Sequence, residues 1–352
     1  MDINRQRNKK IIDRTLPEVF CSNKELRRID ILNLSRMLNT LGVDFIEVDL
    51  RILEIAGELP AEPDFLYRVD SESALEGLSL FSFKAVVINS NVLHFDSILN
   101  ELGLQHKDIT IEVRAETIED LKNLRRLKDK NWIKSIRNIR IIGLNRFVST
   151  SWLRLCDSIK RVLGVSIDIC PENIFYNATA SAVDAIMDTA DCITASFTGY
   201  GGNSGYAAIE QVLAFVKVMT NASERIRLNI LPDLARVFSE AAGIGIPENM
   251  PVIGENIFRY ESGIHADGIS KNPMTYEPYD PEIVGQKRKL SIGKHSGRKS
   301  VMKKLQELGI EGEHVEVADF LKVIRERSIS LQRNLEDNEI IDLLKLPAIS
   351  NI

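Results

Sequence analysis

Three short β-branched runs follow one another in the middle of the chain: Asn138-Ile-Arg-Ile-Ile142, Val165-Ser-Ile-Asp-Ile169 and Cys192-Ile-Thr-Ala-Ser-Phe197. The intervals between them hold the amphipathic segments Ser151–Leu163 and Asn177–Ala190. Buried strands that alternate with helices are typical of a parallel sheet with crossover helices. This stretch therefore predicts an α/β fold, and the number of repeats decides which one.

The same alternation extends back to the start of the chain. Five more strands are predicted there, which gives eight over about 220 residues: Lys10–Leu16, Phe45–Asp49, Phe65–Val69, Ala85–Asn89 and Ile109–Val113. Eight strand–helix repeats predict a closed (β/α)8 TIM barrel. The alternative is an open doubly wound sheet. No Gly-x-Gly-x-x-Gly follows the first strand, which disfavours the dinucleotide-binding form of that alternative.

The pattern changes after the eighth repeat. Leu231–Ala242 predicts a helix, and residues 245–297 are rich in Gly and Pro, which predicts an extended linker or lid. Three closing helices are predicted at Arg298–Leu308, Val315–Leu331 and Asn338–Leu344. We therefore predict three parts: a barrel over residues 1–220, a linker and lid over 221–297, and a helical tail over 298–352.

Composition narrows the class of protein. The chain has 352 residues, 44% of them hydrophobic, and a net charge of -5. That acidic balance argues against nucleic-acid binding, and no apolar run approaches the roughly 20 residues of a membrane helix. The first residues lack the apolar core of a secretory signal. Four scattered cysteines predict free thiols in a reducing compartment, so we expect a cytoplasmic protein.

The C-terminal third carries four motifs of one enzyme family. They are Val252-Ile-Gly-Glu-Asn256, Glu261-Ser-Gly-Ile-His-Ala-Asp-Gly268, the segment 271–285 and Ile292-Gly-Lys-His-Ser-Gly-Arg298. Through them the whole chain resembles the homocitrate synthase / isopropylmalate synthase family, and within it the short homocitrate synthases associated with nitrogen fixation. The resemblance implies a barrel enzyme that condenses acetyl-CoA with a 2-oxo acid at a divalent metal.

The first strand departs from the family's pattern. Where the family has Asp-x-Thr-Leu-Arg-Asp-Gly, this chain has Asp13-Arg-Thr-Leu-Pro17-Glu18-Val19. Pro17 stands at the position of the family's substrate-polarising Arg, and it carries no charge. Glu18 stands at the position of a metal-binding Asp.

The other ligand positions are also changed. Asp168-Ile-Cys170 replaces the His-x-His of the seventh strand, and Tyr206 aligns with the Asn of the Gly-rich loop after the eighth strand. Carboxylates mixed with a thiol and a phenol are a poor ligand set for the family's ion. The resemblance therefore implies that the degenerate positions hold no metal: Glu18, Asp168, Cys170 and Tyr206. A mixed site for some other metal is the alternative.

Four further residues are candidates through the resemblance. Glu116, in Val113-Arg-Ala-Glu116, corresponds to the family's catalytic Glu after the fifth strand and is a vestigial candidate. His265 corresponds to a linker His that enters the neighbouring subunit's barrel for acid/base catalysis, a task that suits imidazole. His295 and Arg298 are candidates for binding substrate or coenzyme A, since basic residues gather between 287 and 299. The alternatives are an ordinary loop histidine at His265, a turn-forming role for His295 and a solvated basic face.

These implications lead to one main hypothesis. The family includes a split form in which an alpha chain carries the catalytic barrel and an omega chain carries the intact C-terminal portion, and this chain resembles the omega type. It would act in a hetero-oligomer that condenses acetyl-CoA with 2-oxoglutarate to homocitrate, for iron-molybdenum cofactor biosynthesis. We expect this chain to bind no cofactor and to be inactive alone, with the divalent metal in the alpha-type partner. The alternatives are a non-catalytic regulator or scaffold of an intact homocitrate or isopropylmalate synthase, and a barrel with a different, metal-free reaction.

Overall fold

The computed structural model describes residues 9–22, 25–81, 83–92, 108–144, 151–220, 225–261, 263–310 and 316–345. The chain forms two compact units, Met1–Ile246 and Pro247–Ile352, and each is described by itself. In the part of the chain that is described, no helix has both the length and the apolar character needed to cross a membrane.

Eight parallel strands form a closed barrel in the first unit. They pair in chain order, and β8 pairs back onto β1. Their bounds are β1 (Lys10–Asp13), β2 (Phe45–Val48), β3 (Phe65–Val69), β4 (Ala85–Asn89), β5 (Asp108–Ala115), β6 (Asn138–Gly143), β7 (Ser166–Pro171) and β8 (Cys192–Ala195). The predicted (β/α)8 barrel is confirmed and the open sheet is excluded. In such a barrel the carboxyl ends of all strands meet at one rim, where functional residues gather.

Helices surround this barrel. They are α1 (Thr15–Ser22), α2 (Arg28–Leu41), α3 (Leu50–Ala56), α4 (Glu76–Leu80), α5 (Ile118–Asn123), α6 (Ser151–Leu163), α7 (Ala178–Met187), α8 (Ile209–Thr220) and α9 (Leu231–Ala242). Helix α2 shows why they pack: Ile31, Leu34 and Leu38 recur at helical spacing and are fully buried. Helix α9, which the sequence grouped with the linker, belongs to the first unit and packs on α2.

The first strand is shorter than the predicted Lys10–Leu16. It ends at Asp13 because the Asp13 carboxylate accepts hydrogen bonds from the Thr15 backbone N–H at 2.9 Å and from the Thr15 hydroxyl at 2.7 Å. Such a local side-chain bond competes with the strand ladder and turns the chain. Pro17 and Glu18 therefore lie on helix α1 at the rim and not on a strand.

The second unit has a small core of its own. Its elements are β9 (Arg259–Tyr260), α10 (Gly263–Lys271), β10 (Lys289–Leu290), α11 (Arg298–Glu307), α12 (Val317–Leu331) and α13 (Asp337–Leu344). Side chains from β10 and the last three helices, among them Leu290, Val301, Phe320 and Ile340, pack into one apolar cluster. The helical C-terminal region is as predicted. The predicted linker is not extended throughout, because helix α10 forms in it and carries His265.

Candidate functional site

The inside of the barrel is charged. Eight ionisable residues from the strands and the rim are at most 9% exposed: Asp13, Arg14, Glu18, Glu47, Arg68, Glu112, Arg140 and Asp168. A buried charge is costly unless an opposite charge or hydrogen bonds compensate it. The pairing of these groups therefore decides what the barrel can do.

Arg140 is the centre of one part of this network. Its Nε donates to Oδ2 of Asp168 at 2.6 Å, and its Nη1 donates to Glu47. The register explains the first bond, since Arg140 and Asp168 lie opposite each other on β6 and β7. The Thr194 hydroxyl donates to the same carboxylate at 2.8 Å. Asp168 is thus fully engaged by protein groups.

Arg68 and Glu112 form a second part. The two guanidinium Nη atoms of Arg68 donate to the two oxygens of Glu112 at 2.9 and 2.7 Å, which is the two-pronged geometry of a strong ion pair. Burial alone would raise the pKa of Glu112, but the positive charges of Arg68, Arg14 and Arg140 hold it well below its usual range. Glu112 is therefore an ionised partner of arginine.

Arg14 occupies the rim side of the interior. Its Nη2 donates to Oε1 of Glu18 at 2.8 Å, and its Nη1 donates to Sγ of Cys170 at 3.2 Å. Its guanidinium carbon lies 4.1 Å from the centre of the Tyr206 ring, a cation–π contact. Three of the four degenerate positions thus contact a single guanidinium group. The fourth, Asp168, is bound by Arg140.

The Gly-rich loop after β8 completes this arrangement. The Gly202 backbone N–H donates to Oε2 of Glu18 at 3.0 Å. At Gly201, with φ +131°, a Cβ would lie 2.5 Å from the same oxygen, so a side chain there would collide with the carboxylate. The loop therefore holds Glu18 against Arg14.

These residues do not fit a divalent metal ion. Burial raises the pKa of the Cys170 thiol to about 12 and also raises that of the Tyr206 phenol, so both are neutral near pH 7. The Arg14 guanidinium lies among them, and its positive charge opposes a second cation. Within the described ranges, no group of three or more His, Cys, Asp or Glu side chains is arranged to hold a metal.

Sequence reasoning missed Arg14. It stands at the variable position of the family's Asp-x-Thr, where the motif prescribes no residue type. One feature of the sequence nevertheless pointed to Arg14. A cation beside a strand end, next to positions where the resemblance implies that metal ligands are replaced, is a candidate to supply positive charge at that site.

Glu116 lies at the same rim but outside the buried network. It follows the last residue of β5, and its side chain is 43% exposed. Arg114 donates to it at 3.0 Å and also to Glu172 at 2.9 Å. Glu116 is therefore part of a half-exposed ion-pair group.

His265 belongs to helix α10 of the second unit and is exposed. Its ring packs on Tyr276, with the ring centres 4.4 Å apart. A Cβ on Gly268 would lie 2.4 Å from the Tyr276 ring, so the glycine of the motif makes room for that aromatic side chain. The motif thus presents an imidazole supported on one side by a tyrosine.

His295 and Arg298 lie elsewhere in this unit, and both are exposed. The His295 backbone N–H donates to Oε1 of Glu261 at 2.7 Å, while Arg298 begins helix α11. The basic residues nearby are partly neutralised: Arg288 pairs with Glu277 at 2.7 Å. The role of these two residues in binding substrate or coenzyme A stays a prediction.

Similarity to known proteins identifies the family of this chain. Residues 252–330 match the family described as homocitrate synthase post-HMGL domain-like. The chain is also 32% identical to the homocitrate synthase omega subunit of Clostridium pasteurianum, over 96% of this chain and 95% of that protein. The chain belongs to the homocitrate synthase family. Homocitrate synthase AksA of Methanopyrus kandleri is 40% identical, but over only 47% of this chain and 42% of its own length.

Solved structures of other proteins contain a similar barrel fold. Hydroxymethylglutaryl-CoA lyase from Pseudomonas aeruginosa superposes with a TM-score of 0.56, at 14% identity, over 68% of this chain and 94% of the lyase. The lyase from Bacillus subtilis gives a TM-score of 0.53 at the same identity, over 68% of this chain and 96% of that lyase. At this identity the likeness shows the fold alone.

This member of the homocitrate synthase family also buries Glu210, a carboxyl group that the sequence did not reveal. Glu210, in the first turn of α8, is fully buried and accepts the Thr198 backbone N–H at 2.9 Å. Burial raises its pKa from 4.5 to about 7. Because the folded state binds this proton more tightly, its contribution to stability is complete below pH 4.5 and is lost as the pH rises through about 7.

Glu210→Gln is therefore expected to stabilise the barrel at high pH. The amide oxygen can still accept the Thr198 N–H, but it carries no buried charge. The gain in the free energy of unfolding over the wild type should grow from pH 5 to pH 8, towards about 3 kcal/mol. Urea unfolding of both proteins across that range measures it. A difference that does not change with pH would contradict this assignment.

Proposed function

We propose that this chain is the omega-type subunit of a heteromeric homocitrate synthase. The proposed complex condenses acetyl-CoA with 2-oxoglutarate to homocitrate, for iron-molybdenum cofactor biosynthesis. The observation that carries the proposal is the Arg14 guanidinium bound by Glu18, Cys170 and Tyr206, at the positions of the family's metal ligands. The relative from Clostridium pasteurianum that matches over nearly its whole length, and is called an omega subunit, supports the same assignment.

The barrel chemistry explains why such a chain would need a partner. A metal-assisted condensation needs a Lewis acid that binds and polarises the oxo acid. This barrel presents a guanidinium that is already paired with a carboxylate. The metal, and the residues that select the oxo acid, are therefore assigned to an alpha-type chain.

The second unit would supply this chain's share of the active site. His265 is exposed on α10, and the large apolar side chains around it are exposed as well: Ile264 by 75%, Met274 by 68% and Tyr276 by 44%. An aromatic and a methionine side chain beside an exposed imidazole suit contact with another protein. In the proposed complex His265 moves a proton at the partner's site.

The four free cysteines suit a reducing compartment, and we place the complex in the cytoplasm.

Reconstitution tests this proposal. The chain is purified alone and together with a short synthase chain that has the family's complete ligand set, and homocitrate formation is measured for each chain and for the mixture. We expect no turnover by this chain with Mg²⁺, Mn²⁺ or Zn²⁺, and turnover by the mixture. Activity of the pure chain would contradict the proposal. A partner that is equally active without this chain would instead support a regulator or scaffold.

A further inference from the structure

The ion pairs of the barrel point to a role for Arg14 that is independent of any partner. We propose that Arg14 is a built-in cation that takes the place of the divalent ion in this barrel, so that the fold depends on its guanidinium and not on a metal. The inference goes beyond the proposed function, because it concerns the isolated chain and holds whether or not that chain acts in a complex.

The charges around Arg14 match one positive charge. Glu18 is the carboxylate in direct contact with it, at 2.8 Å, and the other two contacts are a thiol and an aromatic face. Glu112 lies 4.0 Å away, but both of its oxygens already bind Arg68. A hard divalent ion such as Mg²⁺ or Mn²⁺ would lack a second free carboxylate ligand. A guanidinium, in contrast, can donate to a neutral sulfur and stack on a ring.

The backbone holds Arg14 in place from both sides. Its own N–H donates to the Ala195 carbonyl on β8 at 3.0 Å. The next residue, Thr15, is bound to the Asp13 carboxylate, and the Thr15 hydroxyl accepts the Phe197 N–H at 2.8 Å. The backbone of Arg14 is therefore held at the junction of β1 and β8. A rigid backbone at this residue favours one defined position for the guanidinium charge.

Thermal unfolding of the full chain tests the proposal. Arg14→Met keeps much of the side-chain length without the charge, and Arg14→Lys keeps the charge. We expect the wild-type midpoint to be unchanged by EDTA, Mg²⁺ or Mn²⁺. The midpoint should fall by about 10 °C in Arg14→Met, because a buried carboxylate loses its partner, and Arg14→Lys should recover at least half of that loss.

Arg51→Met is the matched control. Arg51 also stacks on an aromatic ring, that of Phe20, and pairs with a carboxylate, that of Asp49, but its side chain is 44% exposed. Arg51→Met should lower the thermal unfolding midpoint by no more than about 3 °C. Three results would overturn the proposal: a wild type that is stabilised by metal, an Arg14→Met variant as stable as the control, or an Arg14→Lys variant no better than Arg14→Met.

A second measurement asks whether removing the guanidinium uncovers a cation site. Arg14→Ala leaves Glu18, Cys170 and Tyr206 around an emptied space. We expect it to bind one equivalent of Cd²⁺ with a thiolate-to-metal absorption band, and we expect neither the wild type nor the Arg14→Ala/Cys170→Ala double variant to do so. A wild type that binds Cd²⁺ there, or a folded Arg14→Ala that does not, would contradict the proposal. If Arg14→Ala does not fold, the comparison of the Lys and Met variants decides.

Discussion

His265→Ala is expected to lower homocitrate turnover by the mixture of this chain and an alpha-type partner by about 10²–10⁴-fold, the usual contribution of a positioned acid/base group. The fold of this chain should be unchanged, because the His265 side chain is exposed and its one described ring contact is with Tyr276. Complex formation should be nearly unchanged, because the exposed Ile264 and Met274 remain to contact the partner. Steady-state assays at saturating concentrations of both substrates, with the two chains at equal ratio, measure the effect. Size-exclusion chromatography of the same mixtures confirms assembly.

His295→Ala is the matched control in the same unit. This histidine is also exposed, and the hydrogen bond described for it uses its backbone N–H, which alanine retains. If His295 and Arg298 bind substrate or coenzyme A, their substitution should raise KM and leave kcat nearly unchanged, whereas loss of His265 should lower kcat. Cys170→Ala, in the barrel of this chain, should change the rate little. A rate that survives His265→Ala but is abolished by Cys170→Ala would mean that the linker and barrel roles are reversed.

Arg140→Met should have the largest effect on stability. The substitution leaves the buried carboxylate of Asp168 without its guanidinium partner, and it leaves Glu47 with the more distant Arg68, at 3.6 Å. Breaking a buried ion pair in this way costs about 3–5 kcal/mol. The free energy of unfolding in urea should fall by that amount, or the chain should fail to fold. No metal should restore it.

A surface pair provides the control for Arg140. Arg225 pairs with Asp44 at 2.6 Å, but its side chain is 54% exposed. Arg225→Met should therefore cost no more than about 1 kcal/mol. Adding Asp168→Asn to Arg140→Met should recover part of the loss, since it removes one of the stranded charges. If both arginine variants lose the same small amount, the barrel network does not stabilise the fold as described.

The sequence by itself determined the barrel. The strands are short runs rich in β-branched or aromatic residues, and helices such as α2 repeat apolar residues at helical spacing, so the fold class follows from local patterns. The motifs around His265 determined the family in the same way, as a string of residues. The limit of local reasoning is visible at β1, which was predicted to run to Leu16. A single side chain, Asp13, binds Thr15 and ends the strand early.

Only the tertiary structure decided what the barrel interior contains. Two of its contacts join residues far apart in the chain: Arg14 lies 156 positions from Cys170, and Arg140 lies 93 positions from Glu47. Which charged side chains pair depends on strand register and on closure of the barrel. A local sequence pattern predicts neither of them. The resemblance predicted that the ligand positions of the family had changed. The fold alone shows that an arginine next to the first strand lies among them.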